Sequence, residues 1–303
     1  MIVSHRTSAG FTMTSQWLAT LALAFFAATG NPVLPVSAAQ GATSDASVRI
    51  DSSGRQRMLS QRMAKASCFV MIGVAPDAHS AEALQAADEF EAVLDGLLNG
   101  SSTYGLQAEA DAQTVDLLRQ VSGLWDSFGA AVRQLASGET YSVVVTQIIQ
   151  NDLPVLQTMH KAVELITTNN PVPDARPTMA GTISVAGRQL MLSQKMAKEF
   201  CYILADISAD RMRDALTDSV ALFETTLRQL TRGDYDAGII DPPNLAVISA
   251  LSEVEAEWAA YRAVLTKVLN SEPVSHEELE SAAQLANTVL ARAHRVVGLY
   301  VAY

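Results

Sequence analysis

Hydrophobic residues recur along this chain at steps of three and four, the spacing that keeps one face of an α-helix aligned. From about Val48 to Gly73, the residues Leu59, Met63, Ala66 and Val70 form one apolar stripe, which Gly73, Pro76 and Asp77 interrupt. A second stripe starts near Ser80, runs through Leu84, Ala87, Leu94 and Leu98, and stops at Asn99-Gly100. A third, from about Ala108, carries Val115, Leu118, Val121, Trp125, Phe128, Val132 and Leu135 and closes at Ser137-Gly138. The pattern resumes from Glu139. Asn151-Asp152 reads as the cap of a fourth helix with Pro154 in its first turn, where a missing N–H costs nothing. Val155, Met159, Val163 and Ile166 line its apolar face. Residues 169–177 hold three prolines and two asparagines, which cannot continue a helix. After them the same order returns, with helices expected over about 179–208, 210–232, 244–270 and 275–302.

The second half is a copy of the first. Gly54-Arg55-Gln56-Arg57-Met58-Leu59-Ser60-Gln61-Arg62-Met63-Ala64-Lys65 is matched by Gly187-Arg188-Gln189-Leu190-Met191-Leu192-Ser193-Gln194-Lys195-Met196-Ala197-Lys198, 133 residues on. Cys68 and Cys201, Phe90 and Phe223, Gly100 and Gly233, and Trp125 and Trp258 keep that offset. His160-Lys161 and His294-Arg295 match after one residue of slippage. A period this long marks a duplicated structural unit. The fold expected is all-α, two tandem antiparallel four-helix bundles related by an internal repeat. A first bundle is expected over 48–168, a Pro-rich linker over 169–178 and a second bundle over 179–303. One continuous elongated bundle is the other architecture, and the linker prolines disfavour it. Residues 39–46, small and polar, read as a flexible lead-in.

Composition adds compartment and partners. His5 and Arg6, the apolar run Trp17–Ala28 and the small residues Val36-Ser37-Ala38 form an export-signal pattern over 1–38. The run is short for a membrane span, which needs about 20 residues. The mature protein is therefore expected in the periplasm or secreted, with an uncleaved N-terminal anchor as the alternative. The net charge of -11 disfavours nucleic acid and anionic membrane surfaces. Between Asp51 and Asp77, however, every charged residue is basic: Arg55, Arg57, Arg62 and Lys65. The two cysteines occupy equivalent repeat positions. An oxidising compartment permits a Cys68–Cys201 bond. Two small buried core residues are the other reading, and sequence alone does not set the Cα separation a bond requires.

The GRQRMLSQRMAK run, followed by Asn151 to His160 (NDLPVLQTMH), resembles the extracytoplasmic sensor domain of type IV pilus chemotaxis receptors (PilJ-type), shared with NarX-like nitrate/nitrite sensor kinases. The resemblance spans both repeats. It implies periplasmic four-helix bundles that dimerise, with one Arg of the first helix binding the anion at the dimer axis. Alignment on the signature puts that Arg at Arg57. The second repeat has Leu190 there, so one copy keeps the residue and the other lacks it.

Residue chemistry makes an anion site reasonable at the same place. A guanidinium is a planar fork of donors that keeps its charge and suits a planar oxyanion. Arg57, Gln61, Ala64, Cys68 and Met71 share a helical face whose second-repeat equivalent is nearly all apolar, so the face is expected to be buried and Arg57 to need a partner. The ligand-binding residues expected are Arg57, Arg55 and Gln61. Ser60 and Gln61 also read as structural bonds to neighbouring helices. Lys65 and Lys198 read as solvated stems, Trp125 and Trp258 as core anchors, and His160 and His294 as a polar helix-end face. No metal spacing, nucleophile motif, phosphate loop or dinucleotide fingerprint is visible, so no enzyme and no cofactor are expected. The function expected is an exported, non-enzymatic sensory module. It would recognise a small oxyanion such as nitrate or nitrite and pass its state to a membrane-bound signalling or envelope protein, with a homodimer through the first helices. The alternative is a structural or interaction module of the envelope with an exposed apolar face, to which Leu190 and Leu204 would contribute.

Overall fold

The computed structural model describes residues 36–169 and 178–303. Among them it has eight α-helices: α1 (Val36–Met71), α2 (Pro76–Asn99), α3 (Ala112–Ala136), α4 (Ser142–Asn169), α5 (Thr178–Leu204), α6 (Ala209–Arg232), α7 (Leu245–Leu269) and α8 (His276–Val301). The apolar run of the export signal and residues 170–177 of the linker lie outside the described residues. No described helix is long and apolar enough to cross a membrane.

Local chemistry sets the boundaries, and the repeat sets them twice. Ala75 and Ser208, one period apart, both adopt left-handed backbone, with φ of 37° and 50°, and turn the chain into α2 and α6. Pro76 opens α2, where its fixed φ fits and no N–H is needed. Asp111 and Asn244 cap α3 and α7 by accepting from Thr114 N and Val247 N. Ser275 and Glu278 make a reciprocal capping box on α8. Gly233, at φ 72°, ends α6 beside Asp241. A Cβ there would sit 2.0 Å from Asp241 Oδ1, so only glycine fits. The loops that follow α2 and α6 each hold one isolated bridge, Ser101 with Leu106 and Asp234 with Ile239.

The largest departures from the expected boundaries are at the starts of α1 and α4. Residues 39–46 are part of α1 rather than a lead-in. The fourth helix begins at Ser142, and Pro154 lies inside it. Val144 and Ile148 are buried in the core, so the apolar spacing continues upstream of the proline and holds the helix there. Asn151 therefore caps nothing: its side chain donates to Gln147 O at 2.8 Å.

α1 packs on α2 and α4, α2 on α3, and α3 on α4; α5 packs on α6 and α8, and α7 joins α6 to α8. These are two antiparallel four-helix bundles. Phe90 packs against Trp125 with ring centroids 4.7 Å apart, and Phe223 against Trp258 at 4.3 Å, both pairs tilted. The two tryptophans thus anchor equivalent cores. The most extensive helix pair is α1 with α5. Gly187 lies beside Arg57, and further along both helices Cys68 is bonded to Cys201, with Cα atoms 6.1 Å apart. The two signature helices therefore run parallel, and the bundles meet along them.

Candidate functional site

The signature sits at this joint. Several of its polar residues do the same structural work in both copies. Gln56 donates to Phe90 O and Gln189 to Phe223 O. Ser60 donates to Arg57 O and Ser193 to Leu190 O. Gln61 reaches Asp152 O on α4, and Gln194 reaches Ala286 O on α8. Gln61 thus ties α1 to α4, although its Oε1 has no partner among the described residues.

Arg57 has no such pairing. It is 1% exposed, one of the largest fully buried side chains. Its Nη1 donates to His160 Nδ1 at 3.2 Å, and its Nε reaches Gly54 O at a long 3.5 Å. Its Nη2 has no hydrogen-bond partner among the described residues. That nitrogen faces two glycines: a Cβ on Gly54 would stand 3.5 Å from it and one on Gly187 4.0 Å. Neither glycine presents a side chain to the unpartnered donor. Burial, then the like charge of Arg188, push the Arg57 pKa down to about 10, against the weaker pull of Glu164. His160 links this group to Glu164 through Nε2 at 3.2 Å. Burial, then Arg57, lower the His160 pKa, so the ring stays neutral and accepts at Nδ1.

Arg55, two residues earlier on the same helix, is placed differently. Arg55 pairs with Glu89 at 2.5 Å and donates to His294 on α8 at 3.0 Å. It is a partnered cross-repeat contact, on a different face from Arg57. Leu190 is 2% exposed in the joint, so it contributes nothing to an exposed apolar face, while Leu204 is 40% exposed. The face expected to pair two chains is covered by α5 of the same chain.

The lysines correct the expectation of solvated stems: both are buried. Lys65 donates to Glu82 and, across the joint, to Asn287 Oδ1, each at 2.7 Å. Lys198 crosses the other way to Asp152 Oδ2 at 2.6 Å. The joint is thus pseudo-two-fold, each first helix sending a lysine into the last helix of the other repeat. Glu82 also accepts from Arg62 at 2.9 Å and contacts His79 at 3.0 Å. Burial opposes its ionisation, yet Lys65, His79 and Arg62 outweigh that and hold its carboxyl well below the usual range.

The arrangement is a buried, incompletely satisfied cation where two bundles meet. Chemically, its unpartnered Nη2 is a charged donor without an acceptor. Among the described residues, no group of three or more His, Cys, Asp or Glu is placed to hold a metal ion. Sequence reasoning assigned no binding role to His160, Arg188 or Asp152. The recurrence of His160 and His294 was a usable signal for the first. Asp152 gave none, because its position beside Pro154 imitates a helix cap.

A family model described as the type IV pili methyl-accepting chemotaxis transducer N-terminal domain, PilJ, matches residues 38–150 and again 177–285. Methyl-accepting chemotaxis protein McpN of Pseudomonas aeruginosa is 29% identical over 118 residues, covering 39% of this chain and 21% of that protein. The match therefore spans about a fifth of the relative's length.

Proposed function

The chain belongs to the PilJ family, and from that premise we propose that it is a sensory module whose ligand is a small oxyanion of the nitrate or nitrite class, held by Arg57 at the joint between the repeats. One observation carries the reading. The Arg57 guanidinium is buried, has no hydrogen-bonded carboxylate, and turns an unpartnered Nη2 toward Gly54 and Gly187. A buried charge without a counter-charge is costly, and an anion there offsets the repulsion from Arg188 as well. The site is single because Leu190 replaces the arginine in the second copy. The second bundle then serves as the wall against which the first one senses.

Binding would neutralise one level of the α1/α5 pair, while the Cys68–Cys201 bond pins the two helices at another. A change in their spacing near Arg57 is then a pivot about the disulfide, available to a membrane-bound signalling partner. The family's description as a chemotaxis transducer domain supports such a partner. A disulfide between α1 and α5 supports an extracytoplasmic, oxidising setting.

Calorimetric titration with nitrate, nitrite and chloride tests this. The oxyanions should bind with a stoichiometry of one per chain, and Arg57→Ala should abolish the heat. Absence of heat from every oxyanion sinks the function, and an Arg57→Ala protein that binds like wild type sinks the site.

A further inference from the structure

A cavity at the joint of the two repeats shares no residue with the Arg57, His160 and Arg188 cluster. It has a volume of about 430 Å³ and lies between α4 of the first repeat and α5 and α6 of the second. Comparing the repeats explains it. In the first repeat, α2 carries buried Glu82 at the equivalent position, bonded to Lys65, Arg62 and His79. One period on, Ala215 stands for Glu82 and Met212 for His79. The carboxylate has moved to Glu199 on α5, where the first repeat has Ala66, and Tyr202 stands for Phe69. Ala215, Met212, Glu199 and Tyr202 all line the cavity.

Truncation at Ala215 alone would leave an apolar hole. This cavity is instead equipped with hydrogen-bonding groups. Glu199 Oε1 is held by Lys195, and Lys198 by Asp152. Glu199 Oε2 and Tyr202 Oη are left without partners among the described residues, although the two residues are only 1% and 3% exposed. Buried polar groups in folded proteins nearly always have a partner, and leaving one unmet is costly. An ionised carboxylate oxygen accepts only, so it calls for a donor. A phenol can donate in return. Arg211, exposed on the cavity's wall, adds a cation that no carboxylate of the lining matches once Lys195 and Lys198 are paired. Ile149, Leu153 and Ile207 supply an apolar wall. The volume falls within the range of about 300–1,000 Å³ usual for small-molecule sites.

We propose that this cavity binds a small amphipathic carboxylate that also carries an N–H or O–H donor, that is, an amino- or hydroxycarboxylate. As the side chains stand, Glu199 Oε2 and Tyr202 Oη are closed to solvent; with a turn of both side chains toward the cavity, the donor meets Glu199 Oε2, the Tyr202 hydroxyl and Arg211 take the carboxylate, and the hydrocarbon lies against Ile149, Leu153 and Met212. The second repeat, which lacks the arginine of the oxyanion site, thereby has a site of its own, and the protein reads two chemically distinct ligands.

The test uses two matched series on the full mature chain: L-leucine, 2-hydroxy-4-methylpentanoate and 4-methylpentanoate, then L-phenylalanine, 3-phenyllactate and 3-phenylpropanoate. Within at least one series the amino or hydroxy acid should bind, and the donor-free acid should bind about tenfold or more weakly, a difference of about 1.4 kcal/mol. Glu199→Ala combined with Ala215→Glu rebuilds the first-repeat arrangement and should abolish that binding while leaving the nitrate heat unchanged. Tyr202→Phe, nearly isosteric, should weaken it about tenfold if its hydroxyl bonds the ligand. No heat from any donor-bearing member overturns the proposal. So does equal affinity for the donor-free acids, or undiminished binding by the folded double variant. Loss of nitrate binding with retained carboxylate binding would instead reject the Arg57 reading alone.

Discussion

Replacing Arg57 by Leu puts into the first repeat the residue that the second repeat already carries, Leu190, which is 2% exposed in the same joint. The variant separates a site built for an anion from an arginine that merely holds the fold. Burial and Arg188 depress the Arg57 pKa to about 10. Each tenfold loss of proton affinity is about 1.4 kcal/mol, so these surroundings disfavour the cation by on the order of 3 kcal/mol. Leu removes that cost together with the unpartnered Nη2. Being smaller than Arg, it gives back roughly 1 kcal/mol in packing. The ligand-free variant should therefore be more stable than wild type by about 1–2 kcal/mol, which for a chain of this size is a rise of roughly 2–8 °C in melting temperature. Wild type should gain about 2.7 kcal/mol from nitrate at a hundred times its Kd, and the variant nothing. Differential scanning calorimetry in sulfate- and nitrate-free buffer, then with added nitrate, reads both quantities. A ligand-free Arg57→Leu protein that melts below wild type would refute the reasoning, because Arg57 would then be a net stabilising contact and its burial no sign of a missing anion.

The disulfide closes a loop between residues 133 apart in sequence. Chain entropy assigns such a loop about 5 kcal/mol. Reduction, or Cys68→Ala with Cys201→Ala, should thus lower the melting temperature by about 10 °C or more, and a fall under about 3 °C would contradict a structural role. Asp152→Ala strands Lys198 in the joint and should cost about 3–5 kcal/mol in urea unfolding. Adding Lys198→Met should restore most of it, and if the double variant stays as unstable as the single one, the pair is not what Asp152 is for. The Glu82 carboxyl titrates lower in the folded protein than in the unfolded chain. Its contribution is therefore complete above the unfolded carboxylate pKa of about 4.3 and lost as pH falls below it. Acid unfolding should start at higher pH in Glu82→Gln, which forgoes that contribution, and its stability should fall less steeply with pH; identical acid profiles would count against the network.

Read alone, the sequence determined the helices, their order and the repeat. Spacings of three and four residues set the buried faces, and glycine, proline and cap residues set most of the ends, because those signals act within a few residues of one another. It also singled out Arg57 and the contrast with Leu190, since a charge on a face that is apolar in the other copy is conspicuous without coordinates. Where it went wrong, the deciding partner lay far away in the chain. Lys65 and Lys198 looked like solvated stems until α8 and α4 brought Asn287 and Asp152 to them. Asp152 looked like a cap until Val144 and Ile148 packed and carried α4 past Pro154. The side-by-side pairing of α1 with α5 was not legible either, nor the cysteine bond and the cavity left by Ala215 that go with it. Each depends on which faces of the two bundles meet. Hydrophobic periodicity says that a face is buried but not what buries it. That choice is made by shape and charge across residues more than a hundred positions apart, and only the tertiary structure holds it.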